Sequence, residues 1–260
     1  MRNVLLASAL AVLPALSAFA ADNPWNGTWK LDLAKSKFTG DTITYSKLEN
    51  GRFHFTDGSA ESYDFGTDGK EYQAYFGYKT TWTPAGDNAW DSVVKFNGTV
   101  VNNVHRQISS NGKTLTVTSK GTKPDGSSFN DEYTYTRLTG TTSLVGKWKS
   151  TKVNISASDT FVVSSPSDGV LRWESPEYKQ TVEGKSDGSD LPATGPTTPA
   201  GTTVAIKILS LKKLAYTVKI SGKPVSIATQ TLSADGKTLT DVSWSPGKEL
   251  EKATAVYTKK

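Results

Sequence analysis

The 260-residue chain has no cysteine, two histidines and one methionine. Without cysteine it has no disulfide, no thiol nucleophile and no zinc–thiolate site, so stability must come from apolar burial and backbone pairing. His54 and His105 stand alone, without the spacing of a histidine metal motif, so neither is expected to hold a metal or act in catalysis. There is no Gly-x-Ser-x-Gly elbow. Ser186-Asp187-Gly188-Ser189-Asp190 lacks the closing Glu of a calcium loop and reads as a turn. Blocks of like charge are missing too. The net charge of +5 is spread over lysines set singly among Thr and Ser, with no basic stripe interleaved with aromatics, which argues against a nucleic-acid partner. No enzyme, cofactor or metal is expected from this inventory.

The start of the chain follows a different pattern. Met1-Arg2-Asn3 is basic, Val4 to Leu16 is apolar, and Ser17-Ala18-Phe19-Ala20 supplies small residues before a cut. These are the three parts of a secretory signal. Residues 1–20 are therefore expected to be removed after Ala20, leaving a secreted or periplasmic protein. The apolar stretch falls short of the about 20 residues that span a bilayer as a helix.

The remaining chain repeats itself. Gly27-Thr28-Trp29-Lys30 returns as Gly146-Lys147-Trp148-Lys149, and Asp41-Thr42-Ile43 as Asp159-Thr160-Phe161. Ile108 to Thr116 matches Leu232 to Thr240, with Gly-Lys-Thr-Leu-Thr identical. Tyr135-Thr136-Arg137 matches Tyr257-Thr258-Lys259. Landmarks in one order at near-constant offsets indicate two tandem copies, read as residues 22–140 and 141–260.

Both copies read as β throughout. Asn-Gly and Asp-Gly pairs, such as Asn97-Gly98 and Asn111-Gly112, punctuate short runs of alternating polarity. Leu115 and Val117 alternate with threonines, and Trp90, Val94 and Phe96 share a face with Ser92. Pro192, Pro196 and Pro199 mark a long loop. Many short strands at regular spacing predict all-β copies, each an antiparallel meander closed as a barrel. The second faces are rich in Thr, Ser, Lys and Asp, unlike the lipid-facing side of a membrane barrel.

Gly27-Thr28-Trp29-Lys30-Leu31 opening a meander resembles the start of a calycin, the superfamily of lipocalins, fatty-acid-binding proteins and avidins. That resemblance implies that the Gly-x-Trp tryptophan packs at the closed end of the barrel beneath a basic residue from the last strand. It pairs Trp29 with Arg137 and Trp148 with Lys259 as structural plugs. The segment Gly27 to Phe38, with Ser233 to Thr240 and Val256 to Lys259, also resembles a group of bacterial secreted proteins of uncharacterised activity. Two departures limit the carry-over. Only Ala34 to Gly40 separates the first two strands, too little for a helical lid. The Arg-x-Tyr clamp of fatty-acid-binding proteins is not reproduced by Tyr133-x-Tyr135-x-Arg137.

Aromatic content singles out copy one, since residues 22–140 hold 18 Phe, Tyr and Trp residues and 141–260 hold 7. Extended as a strand, the run from Tyr72 to Trp82 places Tyr72, Phe76, Tyr78 and Trp82 on one face, with Trp90 on another. An eight-stranded barrel is just wide enough to be filled by such side chains or to hold one small ligand. Val100, Asn102, Val104, Arg106 and Ile108 share a face, so an inward Arg106 would be a buried cation in need of an anion, unless a bulge turned it outward. Two readings stay open. One is a carrier of a small apolar or aromatic anion, with Tyr72, Phe76, Tyr78, Trp82, Trp90 and Arg106 at its site. The other is a filled barrel that binds glycan or protein partners through exposed aromatics such as Trp25, Trp82 or Tyr178. Oligomeric state is not legible.

Overall fold

The computed structural model describes residues 23–141, 143–157 and 159–260; the expected signal segment lies outside them. The strands run β1 (Gly27–Leu31), β2 (Thr42–Lys47), β3 (Phe53–Thr56), β4 (Ser62–Phe65), β5 (Glu71–Gln73), β6 (Tyr78–Gly86), β7 (Ala89–Phe96), β8 (Thr99–Ile108), β9 (Thr114–Thr122), β10 (Ser128–Arg137) and β11 (Gly146–Asn154). They continue as β12 (Thr160–Ser164), β13 (Val170–Ser175), β14 (Gln180–Lys185), β15 (Asp187–Thr194), β16 (Thr202–Ser210), β17 (Lys213–Ile220), β18 (Lys223–Leu232), β19 (Thr238–Trp244) and β20 (Ala253–Lys259). Two single 3₁₀ turns, Tyr75–Gly77 and Pro176–Tyr178, interrupt them.

The strands form two antiparallel ten-stranded meander sheets. One closes completely, in the order β1-β12-β13-β14-β15-β16-β17-β18-β19-β20. The other runs β4-β3-β2-β11-β10-β9-β8-β7-β6-β5, with no ladder joining β4 to β5 among the described residues. We call them the closed and the split barrel. Each has ten strands rather than eight, which widens the interior, because diameter grows with strand number.

The sheets do not follow the boundary between the sequence copies. β1, the first strand of copy one, lies in the closed barrel between β12 and β20. β11, the first strand of copy two, lies in the split barrel between β10 and β2. Residues 32–41 lead from β1 in the closed barrel to β2 in the split one, and the consecutive strands β11 and β12 likewise lie in different barrels. The two copies thus exchange their opening strands, and the split barrel is one continuous stretch, residues 42–154.

The exchange corrects the expected plugs. Arg137 stands opposite Trp148 in the ladder, with its guanidinium carbon 3.9 Å from the ring centre. Lys259 stands opposite Trp29, its ammonium 5.2 Å from the ring. The residue types pair as expected, but with the tryptophan of the other copy. Each indole is fully buried and donates Nε1–H to the carbonyl four residues earlier, Trp29 to Trp25 at 2.9 Å and Trp148 to Leu144 at 3.0 Å. Glycine is required two residues before Trp148. Gly146 sits at φ +140°, and a Cβ there would lie 2.1 Å from the Thr139 carbonyl oxygen.

The repeated Gly-Lys-Thr-Leu-Thr also has a physical basis. Ser109 Oγ accepts from Thr114 N–H at 3.0 Å, and Asn111 Oδ1 accepts from Lys113 N–H at 3.0 Å. Ser233 and Asp235 make the same bonds to Thr238 and Lys237 at 2.9 and 3.1 Å. The Asn97-Gly98 turn takes φ +47° and +80°, the two positive angles of a type I′ hairpin. Pro192 departs from the loop reading, since it lies in β15 opposite Thr203.

Candidate functional site

Alternation along β8 buries Val104, Arg106 and Ile108 and exposes His105 and Gln107. A bulge does occur, but at Val101, where Lys95 pairs Val100 and Val94 pairs Asn102. It turns Val100 to solvent and leaves Arg106 pointing inward, only 9% exposed.

Arg106 lies on top of a column of rings. Phe53 stacks on Phe65 at 5.5 Å, Phe65 on Trp82 at 4.1 Å, and the Arg106 guanidinium on Trp82 at 3.8 Å. Nη1 donates to Ser92 Oγ at 2.7 Å, while Nε is buried without a partner. Among the described residues no carboxylate lies within ion-pair distance of Arg106. A guanidinium cannot shed its charge at physiological pH, so burial leaves a permanent cation in search of a counter-charge.

The space beside it is a cavity of about 410 Å³. Its walls include Ile43, Tyr45, Phe55, Val117, Tyr133 and Tyr135, with Glu61 and Tyr75 beyond them. Burial pushes the Tyr63, Tyr75 and Tyr135 hydroxyls well up, against the pull of Arg106, and pushes Tyr133 up to about 12, so all four stay neutral donors. Burial, with Asp57 adding repulsion, raises the Glu61 carboxyl to about 7.

The rim comes from the other copy. Ser245, Lys248 and Glu251 in the β19–β20 connection line the cavity. Lys248 Nζ donates to the Thr42 and Asp57 carbonyls at 3.1 and 2.7 Å and pairs with Glu251 at 2.7 Å. Glu251 accepts from Thr42 N–H at 2.9 Å. This clamp ties the closed barrel to the mouth of the split one.

The residues singled out from sequence are not all together. Arg106 lines the cavity and Trp82 supports it from below, fully buried. Trp90 packs half-buried against the same core. The expected continuous face from Tyr72 to Trp82 is broken, because the Tyr75–Gly77 turn puts Phe76 at φ +55°. Tyr72 packs against the same core as Trp82 and Trp90 and donates to Asp68 at 2.9 Å, whereas Tyr78 donates to the Thr197 carbonyl at 3.3 Å between the barrels. Phe76 faces another hollow, between the barrels. The exposed-aromatic reading also needs correction. Trp25 and Trp82 are 1% and 0% exposed and sit in the two cores, and Tyr178 is half-buried beside Lys123. Glu61, Tyr75, Tyr133, Tyr135 and Lys248 were not anticipated. Parity along β10 marks Tyr133 and Tyr135 as one face, but no local signal brings Lys248 to the mouth.

Each histidine is half-exposed or exposed and faces an Asp across its ladder, His54 with Asp64 and His105 with Asp91, both at 2.7 Å. Among the described residues no three His, Asp or Glu side chains gather as a metal site, and no helix is long and apolar enough to cross a membrane. Compared with protein-family models, with curated proteins and with solved structures, the chain matches none.

Proposed function

We propose that the split barrel is a binding site for a small aromatic or otherwise planar anion, held by its carboxylate against Arg106. The observation that carries this reading is the buried guanidinium in the cavity wall, which among the described residues has no carboxylate within ion-pair distance, although Asp41, Asp57, Glu61 and Glu251 line the same cavity. A ligand carboxylate would form a charge-assisted pair with it, and neutral tyrosine hydroxyls stand ready to donate to the same oxygens. The wall is more polar than a fatty-acid pocket, which favours a short ring-bearing anion over a long chain. Within this reading the protein is a calycin-like carrier without a catalytic step, and neither histidine lines the cavity. It works in the periplasm or outside the cell once residues 1–20 are gone.

The test uses benzoate as the probe on the mature chain, with calorimetry and tryptophan fluorescence. Benzoate should bind, and Arg106→Gln should weaken it more than about tenfold, because a buried charge loses its partner. Unchanged affinity in Arg106→Gln, with the unfolding transition intact, would sink the reading.

A further inference from the structure

The closed barrel has a cavity of its own, of about 440 Å³. Phe161, Trp173, Val204, Val218 and Tyr257 give it a mainly apolar wall. Of the polar side chains in that wall, Gln230 and Asp241 are the buried ones, only 4% and 6% exposed. They face each other across the β18–β19 ladder. The matching positions of the split barrel are Arg106 and Val117, also directly opposed. Where one barrel sets a cation against an aliphatic side chain, the other sets an amide against a carboxylate.

That carboxylate is incompletely satisfied. Tyr216 Oη and Gln230 Nε2 both donate to Oδ2 of Asp241, at 2.8 and 2.9 Å. Among the described residues no donor reaches Oδ1, and no Lys, Arg or His lies within ion-pair distance. Gln230 Oε1 is buried without a partner as well. Two donors on one oxygen favour the ionised form, while an isolated carboxylate in an apolar wall is costly. Burial pushes the Asp241 carboxyl above its ordinary range, as expected for a group that lacks its cation.

We propose that the closed barrel is a second ligand site, taking an apolar molecule that ends in a primary ammonium and seating that ammonium on Asp241. An ammonium brings three donors, enough for Asp241 Oδ1 with capacity left for Gln230 Oε1. The apolar body fills the space between Trp173 and Val218. The two barrels of one chain then select opposite charges through the same pair of ladder positions, so the duplicated fold carries two specificities.

The experiment adds hexylamine, 1-hexanol and hexanoate separately to the mature full chain, read by calorimetry and by tryptophan fluorescence. Hexylamine should bind more than about tenfold tighter than hexanol, because only the amine brings a charge to the buried carboxylate. Asp241→Asn should abolish that preference, and Arg106→Gln should leave it unchanged. The proposal is overturned if hexylamine is not taken up, if hexanol binds equally well, or if Asp241→Asn binds hexylamine like the unaltered protein. Should Asp241→Asn fail to fold, the amine-over-alcohol ratio of the unaltered chain decides alone.

Discussion

Cutting the chain between its two sequence copies removes a strand from each barrel, and the consequence can be sized. Residues 22–140 keep β1 but lack β11, which fills the slot between β10 and β2. With β11 go Trp148 and Leu144, both at 0% exposure. A buried Trp removes about 150–250 Å² from water, about 4–6 kcal/mol at the usual coefficient, and Leu144 adds about 2 kcal/mol. Even taken as an upper estimate, that loss rivals the about 5–15 kcal/mol that holds a whole domain together. Residues 40–160, by contrast, contain every strand of the split barrel and both Lys123 and its ion-pair partner Asp159. This second fragment should elute as a monomer and unfold cooperatively in urea. Residues 22–140 should show no cooperative transition as a monomer. The reasoning fails if 22–140 is a monomer as stable as 40–160. In that event β1, which carries the same Gly-x-Trp-Lys, has filled its own copy's slot, and the exchange of opening strands is not required for folding.

Three further outcomes follow from the plugs and the cavity. Arg137 donates to the carbonyls of Gly112, Ser143 and Val145 at 2.6–2.8 Å as well as covering Trp148. Among the described residues Lys259 makes one side-chain hydrogen bond, of 3.5 Å to the Pro24 carbonyl, besides covering Trp29. Arg137→Ala should therefore cost about 2–4 kcal/mol in urea unfolding and Lys259→Ala less than about 1 kcal/mol, and equal costs would contradict the account. Gly146→Ala meets the backbone oxygen of Thr139, whereas Gly27→Ala meets the movable Lys259 side chain, so thermal unfolding should fall further for Gly146→Ala. Glu61 titrates near 7 folded against 4.5 unfolded, so the folded state holds the extra proton between those values. Stability present below about pH 4.5 should then fall by up to about 3 kcal/mol as pH rises through 7, and Glu61→Gln should flatten that fall. A profile identical in both proteins would refute the assignment.

Much of this was legible before any coordinates. The absence of helical period and the Asn-Gly and Asp-Gly turns announced β meanders, because both are local properties of backbone and pattern. Parity along β8 offered an inward Arg106 for the same reason, with a bulge as the open alternative: neighbouring side chains on a strand alternate by geometry. The bulge that could have reversed it falls at Val101, upstream of the residues that matter. Parity failed only locally between Tyr72 and Trp82: positive φ at Phe76 and Gly77 turns Phe76 out of the face, while Tyr72 still packs against the same core as Trp82.

The sequence by itself determined the strand content, the duplication and the kinds of residue at each plug, and it left the direction of Arg106 to the position of a bulge. Those depend on local pattern and on types shared between the copies. Tertiary structure alone decided which tryptophan meets which cation, which strand closes which barrel, and that Lys248 and Glu251 reach the mouth of the other barrel. The physical reason is degeneracy. β1 and β11 present the same Gly-x-Trp-Lys to the same kind of slot, so no local preference separates them. The choice rests on the long-range pairing of β1 with β12 and β20 and of β11 with β10 and β2.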